Sequence, residues 1–484
     1  MDAKVISRNV GYALLVSALF MFLSILVSVA DGNDSALAAL LISFVITFTS
    51  GIFPFIFVRK SSVMSIQDGY VIIVLSWLLS FIFGMLPYAL WGGPFTIVNA
   101  WFESVSGFTT TGATILESVE SLPDSLLFWR SSTHFIGGLG VVVFLLLIIP
   151  NTSQMRLRLT NMELSSLSRK EYKTRANKTV FIFTYVYLGL AVAAFICYKL
   201  AGMSAFDAVN HAMSVVSTGG FSTKNLSIAQ FDSMPVTLVT MVFMLLASLH
   251  FGMLFIVFVT RSLKPFKNEV FKFYAGGLLM GAVLVGLSLK VGGICETWGD
   301  AVLQGSFNIL TFASTTGFAI SDNASWPFLT NAVLLFFGIR CGMAGSTTGG
   351  LKSDRSLLFY KQLSHHLKSV LHPASIHEVR MNGRIVPQDQ VTTHVLYVVL
   401  FFCLVAISFL MCLLFGMEGK MALSATISSI SNIGPAIGEV GTFGNYNMMP
   451  SMVKVIFSID MFLGRVEVYP VLAVFMMLFG KREK

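Results

Sequence analysis

Ser106-Gly-Phe-Thr109-Thr-Thr-Gly112, Ser214-Val-Val-Ser217-Thr-Gly-Gly220, Thr311-Phe-Ala-Ser314-Thr-Thr-Gly317 and Ser428-Ser-Ile-Ser431-Asn-Ile-Gly434 are four versions of one pattern. Each sets a hydroxyl, a second hydroxyl three positions on, and a glycine three beyond that, inside an apolar background. The glycines lie 108, 97 and 117 residues apart. That is long enough for each copy to carry its own pair of membrane helices, so the spacing predicts a fourfold internal repeat. Four polar loops gathered around one axis are a way to build a cation pathway.

The background supports a membrane setting. With 55% hydrophobic residues, 12% charged residues and a mean hydropathy of +0.78, a chain of 484 residues reads as an all-α polytopic membrane protein. Apolar runs of about 20 residues, enough to cross a bilayer, fall near 10–30, 36–58, 70–91, 127–150, 179–201, 235–260, 273–291, 328–360, 394–415 and 451–480. Ten crossings with a cytoplasmic N-terminus put 24 of the 32 Lys and Arg residues on the inside, and Asp31, Asp34, Glu117, Glu120, Asp124, Asp232, Glu296 and Asp322 outside. Lys/Arg asymmetry in short loops sets orientation, so both termini are expected in the cytoplasm. The net charge of +8 then needs no nucleic acid to explain it.

The first apolar run follows Lys4 and Arg8 and ends in Ser28-Val-Ala30, like a signal peptide, but it exceeds the 7–15 residues of a signal core and is expected to stay as a helix. The five cysteines, at 197, 295, 341, 403 and 412, are scattered and lack CxxC spacing, which supports neither a disulfide framework nor a zinc site.

Each repeat reads as helix, short amphipathic segment, hydroxyl–glycine loop, helix. The short segments, Asn99–Phe108, Phe206–Val216, Asp300–Thr311 and Lys420–Ile430, cannot span and are expected to dip in and return as pore helices. Asn99, Asp207 and Asp300 open three of them, where acids and amides cap free amides and meet the positive dipole end. The expected divisions are an accessory two-helix module at 1–66 and pore repeats at 67–155, 156–262, 263–375 and 376–484. The second boundary falls within the basic loop 151–178, between the first two repeats, and the polar loop 361–393 precedes the last membrane pair. Both loops are basic enough to meet an acidic protein surface or lipid headgroups.

A potassium ion entering a membrane must exchange its hydration shell for other oxygens, and rings of backbone carbonyls supply them without fixed charges in hydrocarbon. Glycine lets a loop turn its carbonyls inward, because it reaches positive φ without a steric cost. Hydroxyls three and six positions earlier can add oxygens or tie the loop to its helix. The competing reading is that small residues merely pack helices closely.

The chain resembles the Trk/Ktr/HKT superfamily of potassium transport proteins, on its TrkH/TrkG side, through FESVSGFTTTGAT (102–114), FDAVNHAMSVVSTGGFST (206–223), STTGF (314–318), AGSTTGGLK (344–352), SNIGPAIGE (431–439) and GRVEVYP (464–470). The resemblance implies four pseudo-fourfold repeats around a central pore, a homodimer in the bacterial inner membrane, and potassium as substrate. It also implies a cytosolic TrkA-like nucleotide-binding ring as regulatory partner. ATP, ADP or NAD would bind only that partner, with no organic cofactor in this chain. The selectivity filter would comprise Thr110, Thr111 and Gly112; Thr218, Gly219 and Gly220; Thr315, Thr316 and Gly317; and Asn432, Ile433 and Gly434. The single aligned glycine per repeat is sparser than the TVGYG loop of tetrameric potassium channels, which predicts fewer strong sites and weaker selection against sodium.

Gly338-Ile-Arg-Cys-Gly342-Met-Ala-Gly345-Ser-Thr-Thr-Gly349-Gly350-Leu-Lys352 interrupts what would be one long helix. Broken backbone in a membrane is tolerated only inside protein or beside water. Leu351 separates Gly350 from Lys352 and no strand precedes the segment, so it is not a Walker A loop. By resemblance it is an intramembrane gate involving Gly345, Ser346, Thr347, Gly349, Gly350 and Lys352, with Arg340 where a small or apolar residue is expected. Arg465 is a charge midway along the last helix, costly unless paired or hydrated. The resemblance puts it in the pore beneath the filter, opposing cations until displaced; an interhelical salt bridge is the other reading. Glu467 faces elsewhere on the helix and is expected to pair with a neighbouring one.

Glu103 and His211 share a position nine before the filter glycine, with Asn308 and Ala425 in the other repeats. Anchoring of the pore helices is expected there, and a proton relay is the alternative. His134 reads as a packed histidine near the outer surface, and Asp460 has no assigned role. The alternatives to a gated channel are proton- or sodium-coupled symport and, distantly, a membrane enzyme using His134, His211 or Cys341. No HExxH or recurrent Ser/His pairing supports an enzyme.

Overall fold

The computed structural model describes residues 2–59, 65–140, 176–372 and 378–479; most of the basic loop 151–178 lies outside them. Among the described residues the sole sheet is the two-residue hairpin Arg380–Met381 with Arg384–Ile385, and helices form the rest of the framework. Among the described residues six helices are long and apolar enough to cross a membrane: Ala3–Ala30, Leu37–Phe57, Gln67–Trp91, Phe181–Leu200, Glu269–Val291 and Gln388–Leu414. The first two cross closely because Gly11 and Gly51 face each other's backbone, where a Cβ on Gly11 would lie 2.7 Å from Gly51 O.

Two expected crossings are corrected. The run 235–260 is not one helix: Met234–Ser248 and Phe251–Thr260 meet at 104°, and the His250 imidazole caps the second by accepting from Met253 N (3.3 Å). The run 451–480 is two helices, Ser451–Val466 and Val468–Phe479, broken at Glu467, whose φ is +64°. Arg465 therefore stands one residue before a helix end, not midway along a helix. The run 328–360 is interrupted as expected, with Phe328–Arg340 and Ser353–Leu371 flanking a loop at 341–352. The run 127–150 begins as the helix Asp124–Leu139, and residues 141–150 lie outside the described residues.

Four short helices, Ile97–Phe108, Ala205–Ser217, Trp298–Ala313 and Gly419–Ser431, occupy the expected positions. At about 1.5 Å per residue none covers the ~30 Å hydrocarbon core, and their C-terminal halves are wholly buried. Their starts differ from expectation in one respect. The capping groups are hydroxyls three residues before Asn99, Asp207 and Asp300: Thr96, Ser204 and Thr297 accept from those backbone amides at 3.3, 2.9 and 3.1 Å. The acids and amide sit in the first turn, as in a capping box. The third short helix lies in a small-residue groove of Glu269–Val291, where a Cβ on Gly305 would meet Ala282 O and Gly286 N, each at 2.7 Å. The opposite face of that long helix exposes Leu279, Val283 and Leu287, suited to lipid.

Candidate functional site

All four short helices end in one way. The amides of Thr111, Gly219, Thr316 and Ile433 each donate, at 2.9 Å, to the carbonyl five residues back, on Ser106, Ser214, Thr311 and Ser428. The amides of Thr110, Thr218, Thr315 and Asn432 donate to Gly107, Val215, Phe312 and Ser429 at 3.0–3.2 Å. This is the Schellman termination, with its left-handed residue supplied by Thr110, Thr218, Thr315 and Asn432 at φ of 53–57°. A left-handed conformation costs roughly 1–2 kcal/mol for a residue with a Cβ. Threonine bears that strain in three copies, and asparagine, which tolerates it better, in the fourth. Two residues later the glycines also take positive φ, from 75 to 95°.

The four glycines close a ring. A Cβ on Gly112 would lie 2.0 Å from Gly219 O; on Gly220, 2.0 Å from Thr316 O; on Gly317, 2.4 Å from Ile433 O; and on Gly434, 2.5 Å from Thr111 O. Each glycine thus faces the carbonyl before the next glycine, and the fourth returns to the first. Any side chain would strike backbone, so close approach as well as positive φ demands glycine here. Gly112, Gly220, Gly317 and Gly434 together line one cavity of about 80 Å³, whose wall includes Glu117 and Lys224.

The ring is only partly symmetric. In the first and third loops a hydroxyl just before the glycine pairs with the one two residues earlier, Thr109 with Thr111 at 2.8 Å and Ser314 with Thr316 at 2.7 Å. The second and fourth loops carry Gly219 and Ile433 there and make no such pair. Asn432 instead donates to Thr111 Oγ1 (3.0 Å) and Met461 O (2.9 Å), tying the fourth loop to the first. The earlier hydroxyls of the first two copies, Thr109 and Ser217, bond back to their own helices, to Val105 O and Met213 O at 2.7 Å. There they tie loop to helix.

Behind the ring, the position nine before the first two glycines anchors the returning chain. Glu103, fully buried, pairs with Arg130 at 2.9 Å and accepts from Thr114 Oγ1 and Ile115 N. His211 bonds Asp207 O and Ser222 Oγ at 2.8 and 2.9 Å. Asn308 donates to Gln304 O within its own helix (2.9 Å). His134 is a packed helix histidine, as expected: it is wholly buried behind the second loop, stacked on Phe221 and 3.2 Å from Ser214 Oγ. A Cβ on Gly219 would meet its ring at 2.1 Å.

The loop 341–352 packs against the C-terminal ends of three short helices. Thr347 Oγ1 donates to Val216 O (2.9 Å), Gly349 N to Thr315 Oγ1 (3.0 Å), and a Cβ on Gly349 would lie 2.4 Å from Ser431 O. Gly345 O accepts from Phe251 N (3.0 Å) at the 104° bend, and Ser346 Oγ donates to Met343 O (2.6 Å). Gly350 has positive φ, and the Lys352 ammonium turns back onto Thr348 O. Cys341 Sγ bonds Gly349 O and receives Lys352 N, closing the loop on itself. Arg465 bridges the loop to the helix Asp124–Leu139: it donates to Thr347 O at 2.6 Å and to Gly137 O and Gly138 O at 2.7 and 3.0 Å. These three bonds are to carbonyls, and the salt bridge belongs to Glu467, which pairs with Arg355 at 2.7 Å.

Three charges were not singled out from the sequence as site residues. Arg130 is the partner of Glu103; its signal was an arginine inside an apolar run. Arg355 holds Glu467 and lies 4.1 Å over the Tyr397 ring. Lys454, 5% exposed, donates to Asn99 Oδ1 (2.8 Å), joining the last helices to the first short one. Arg340 points away from the loop, its guanidinium 3.6 Å from the Phe273 ring centroid in space left by Gly277. Asp460 accepts from Ser408 (2.7 Å) between two helices.

Known proteins place this architecture. The crystal structure of the potassium transporter TrkH from Vibrio parahaemolyticus superposes with a TM-score of 0.89 at 28% identity, over 99% of this chain and 100% of that one. In sequence, the Trk system potassium uptake protein TrkH of that organism is 31% identical over 483 residues, 98% of each chain. The Escherichia coli K12 protein TrkG is 33% identical, over 98% of this chain and 97% of its own. The family model TrkH, described as a cation transport protein, matches residues 38–275 and 294–482. The chain belongs to the TrkH family of cation transport proteins.

Proposed function

We propose that this chain is a potassium uptake protein: a gated, channel-like pathway whose selectivity filter is the glycine ring. The closed circuit from Gly112 through Gly220, Gly317 and Gly434 back to Thr111 carries this reading, because only four loops around one axis make it, and all four glycines line one cavity. Thr110–Gly112, Thr218–Gly220, Thr315–Gly317 and Asn432–Gly434 supply backbone carbonyls that replace water around the ion. Divisions at 67–155, 156–262, 263–375 and 376–484 give each loop its own repeat, with 1–66 as an accessory module. Loop 341–352 and Arg465 form the gate on the side where the short helices end. There the guanidinium repels cations and braces the loop.

The relatives are named as parts of a Trk system, which supports a homodimer working with a cytosolic TrkA-like nucleotide-binding ring. The Lys/Arg distribution favours the bacterial inner membrane with both termini inside. Coupled symport is disfavoured because the acids around the gate and the last helices are committed: Asp354 accepts from Ala344 N at 2.6 Å. Glu467 is committed to Arg355, and Asp460 lies between Gln388–Leu414 and Ser451–Val466, bonded to Ser408.

Rubidium-86 uptake into proteoliposomes under a potassium diffusion potential, with pH and sodium equal on both sides, tests the reading. Uptake without an ion gradient of either kind is expected. Uptake only with an imposed proton or sodium gradient would replace the channel with a symporter. Rescue of a potassium-uptake-deficient bacterium, with and without a TrkA-like protein, tests the partner.

A further inference from the structure

The four glycines of the ring are not held alike. The Tyr446 hydroxyl donates to Gly434 O at 2.8 Å, and among the described residues no donor bonds the carbonyl of Gly112, Gly220 or Gly317. The loop held in this way is the one that cannot hold itself. The first and third loops are braced by the pairs Thr109–Thr111 and Ser314–Thr316, and the second is walled in by His134 against Gly219. The fourth carries Ile433 where those hydroxyls stand, and Pro435, which has no amide to donate, directly after its glycine.

Tyr446 is itself firmly placed. It is 2% exposed, and its ring lies against Phe102 and edge-on to Phe457, with centroids 5.4 and 5.9 Å away. Its amide donates to Thr114 O at 2.8 Å, two residues past Gly112. The residue therefore spans the seam where the ring closes, Gly434 against Thr111, gripping one loop through its backbone and the other through its hydroxyl. It also lines the cavity that the four glycines share.

We infer that Tyr446 is a positioning residue that sets ion preference: its hydroxyl restrains and weakens the Gly434 carbonyl as an ion ligand, and so favours potassium over sodium. The inference deepens the proposal that the ring is the selectivity filter and rests on it. Two effects act in the same direction. A carbonyl that already accepts a hydrogen bond offers a cation less of its negative charge, and weaker ligands favour the larger ion, whose hydration shell is easier to replace. A restrained carbonyl also cannot close around the smaller sodium ion. Whether the ring discriminates by ligand field or by fit, losing the hydroxyl moves its preference toward sodium.

Tyr446→Phe keeps the aromatic ring and its packing and deletes the donor. The potassium-to-sodium permeability ratio, read from reversal potentials of the full chain in planar bilayers, should fall roughly two- to tenfold, the range one ordinary hydrogen bond supplies. Tyr198→Phe removes a buried hydroxyl that sits 3.0 Å from Thr240 Oγ1, outside the ring, and should leave the ratio unchanged. Placing 3-fluorotyrosine at position 446, a stronger donor on the same ring, should raise the ratio, and it carries the test if Tyr446→Phe does not reach the membrane. Gly317→Ala, measured alongside, separates the two proposals. A ratio shifted by Gly317→Ala but by neither change at 446 overturns the role of Tyr446 alone. A ratio moved by none of the three overturns the filter as well. An equal fall in Tyr198→Phe and Tyr446→Phe also overturns the role, since a general loosening would then account for both.

Discussion

Replacing Gly220 by alanine tests the ring at its tightest point. The new methyl would stand 2.0 Å from Thr316 O, at a φ of +82°. The left-handed conformation costs roughly 1–2 kcal/mol, and forcing backbone apart in a packed core adds roughly 1–3 kcal/mol. The sum, about 2–5 kcal/mol, is smaller than the stability of a large membrane protein but enough to displace the neighbouring carbonyl. Gly202→Ala separates the two terms. Gly202 also has positive φ, at 102°, with nothing within 4 Å of a Cβ, so it incurs the conformational cost alone. Rubidium-86 uptake by potassium-uptake-deficient cells, with sodium as competitor and membrane protein level as control, should fall or lose ion preference in Gly220→Ala and stay normal in Gly202→Ala. Gly112→Ala should match Gly220→Ala, and Gly317→Ala and Gly434→Ala, at 2.4 and 2.5 Å, should be milder. Equal behaviour of Gly220→Ala and Gly202→Ala would refute the assignment of the ring as the place where ions are chosen.

Arg465→Ala removes the bridge from Thr347 to Gly137 and Gly138 and should raise rubidium flux in proteoliposomes lacking any regulator; flux at or below the wild-type level argues against a gate. Glu103→Leu leaves Arg130 buried without its carboxylate and should cost about 3–5 kcal/mol, while Glu103→Leu/Arg130→Met should cost clearly less, read as detergent-phase thermal stability. Gly305→Ala, which pushes a methyl against Ala282 O and Gly286 N, should cost roughly 1–3 kcal/mol in the same assay, whereas Leu279→Ala on the exposed face should change little.

The four short helices were legible to within a few residues. Their length forbids spanning, and hydroxyl and glycine punctuation marks their ends. The ring order was implicit in the repeat but its closure was not, because three contacts join residues about a hundred positions apart and the closing one, Gly434 on Thr111, joins residues 323 apart. The hydroxyl caps were readable and missed: Thr96-x-x-Asn99, Ser204-x-x-Asp207 and Thr297-x-x-Asp300 are ordinary helix-start signals. The break at 249–250 carries no such signal, and the one at 467 has only Pro470, in the first turn of the following helix. Leu249, His250 and Glu467 are neither glycine nor proline, and what holds the chain bent there is tertiary: Phe251 N on Gly345 O, and Glu467 on Arg355. Arg130 and Glu103 looked unrelated for the same reason, since their pairing needs the chain to return after 27 residues.

The contacts of Arg465 also bound what can open the pathway. Hydrogen bonds to charged groups contribute about 1.5–3 kcal/mol each, so its three bonds to Thr347, Gly137 and Gly138 hold the loop as it stands by at most roughly 5–9 kcal/mol, less whatever water returns to the guanidinium. Moving a two-state equilibrium from 1:99 to 99:1 takes about 5.5 kcal/mol of differential binding. At about 4 Å a potassium ion repels the guanidinium by about 1 kcal/mol in bulk water and about 4 kcal/mol at the effective dielectric of a protein site, which falls short of that requirement for the proposed gate. On the gating role proposed above, a regulator acting on the loop would supply the rest. Thr347 shows how: its carbonyl holds Arg465 while its hydroxyl holds Val216 O and Ala247 O. Withdrawing that one residue would release the arginine from the loop and the loop from the second short helix in a single movement.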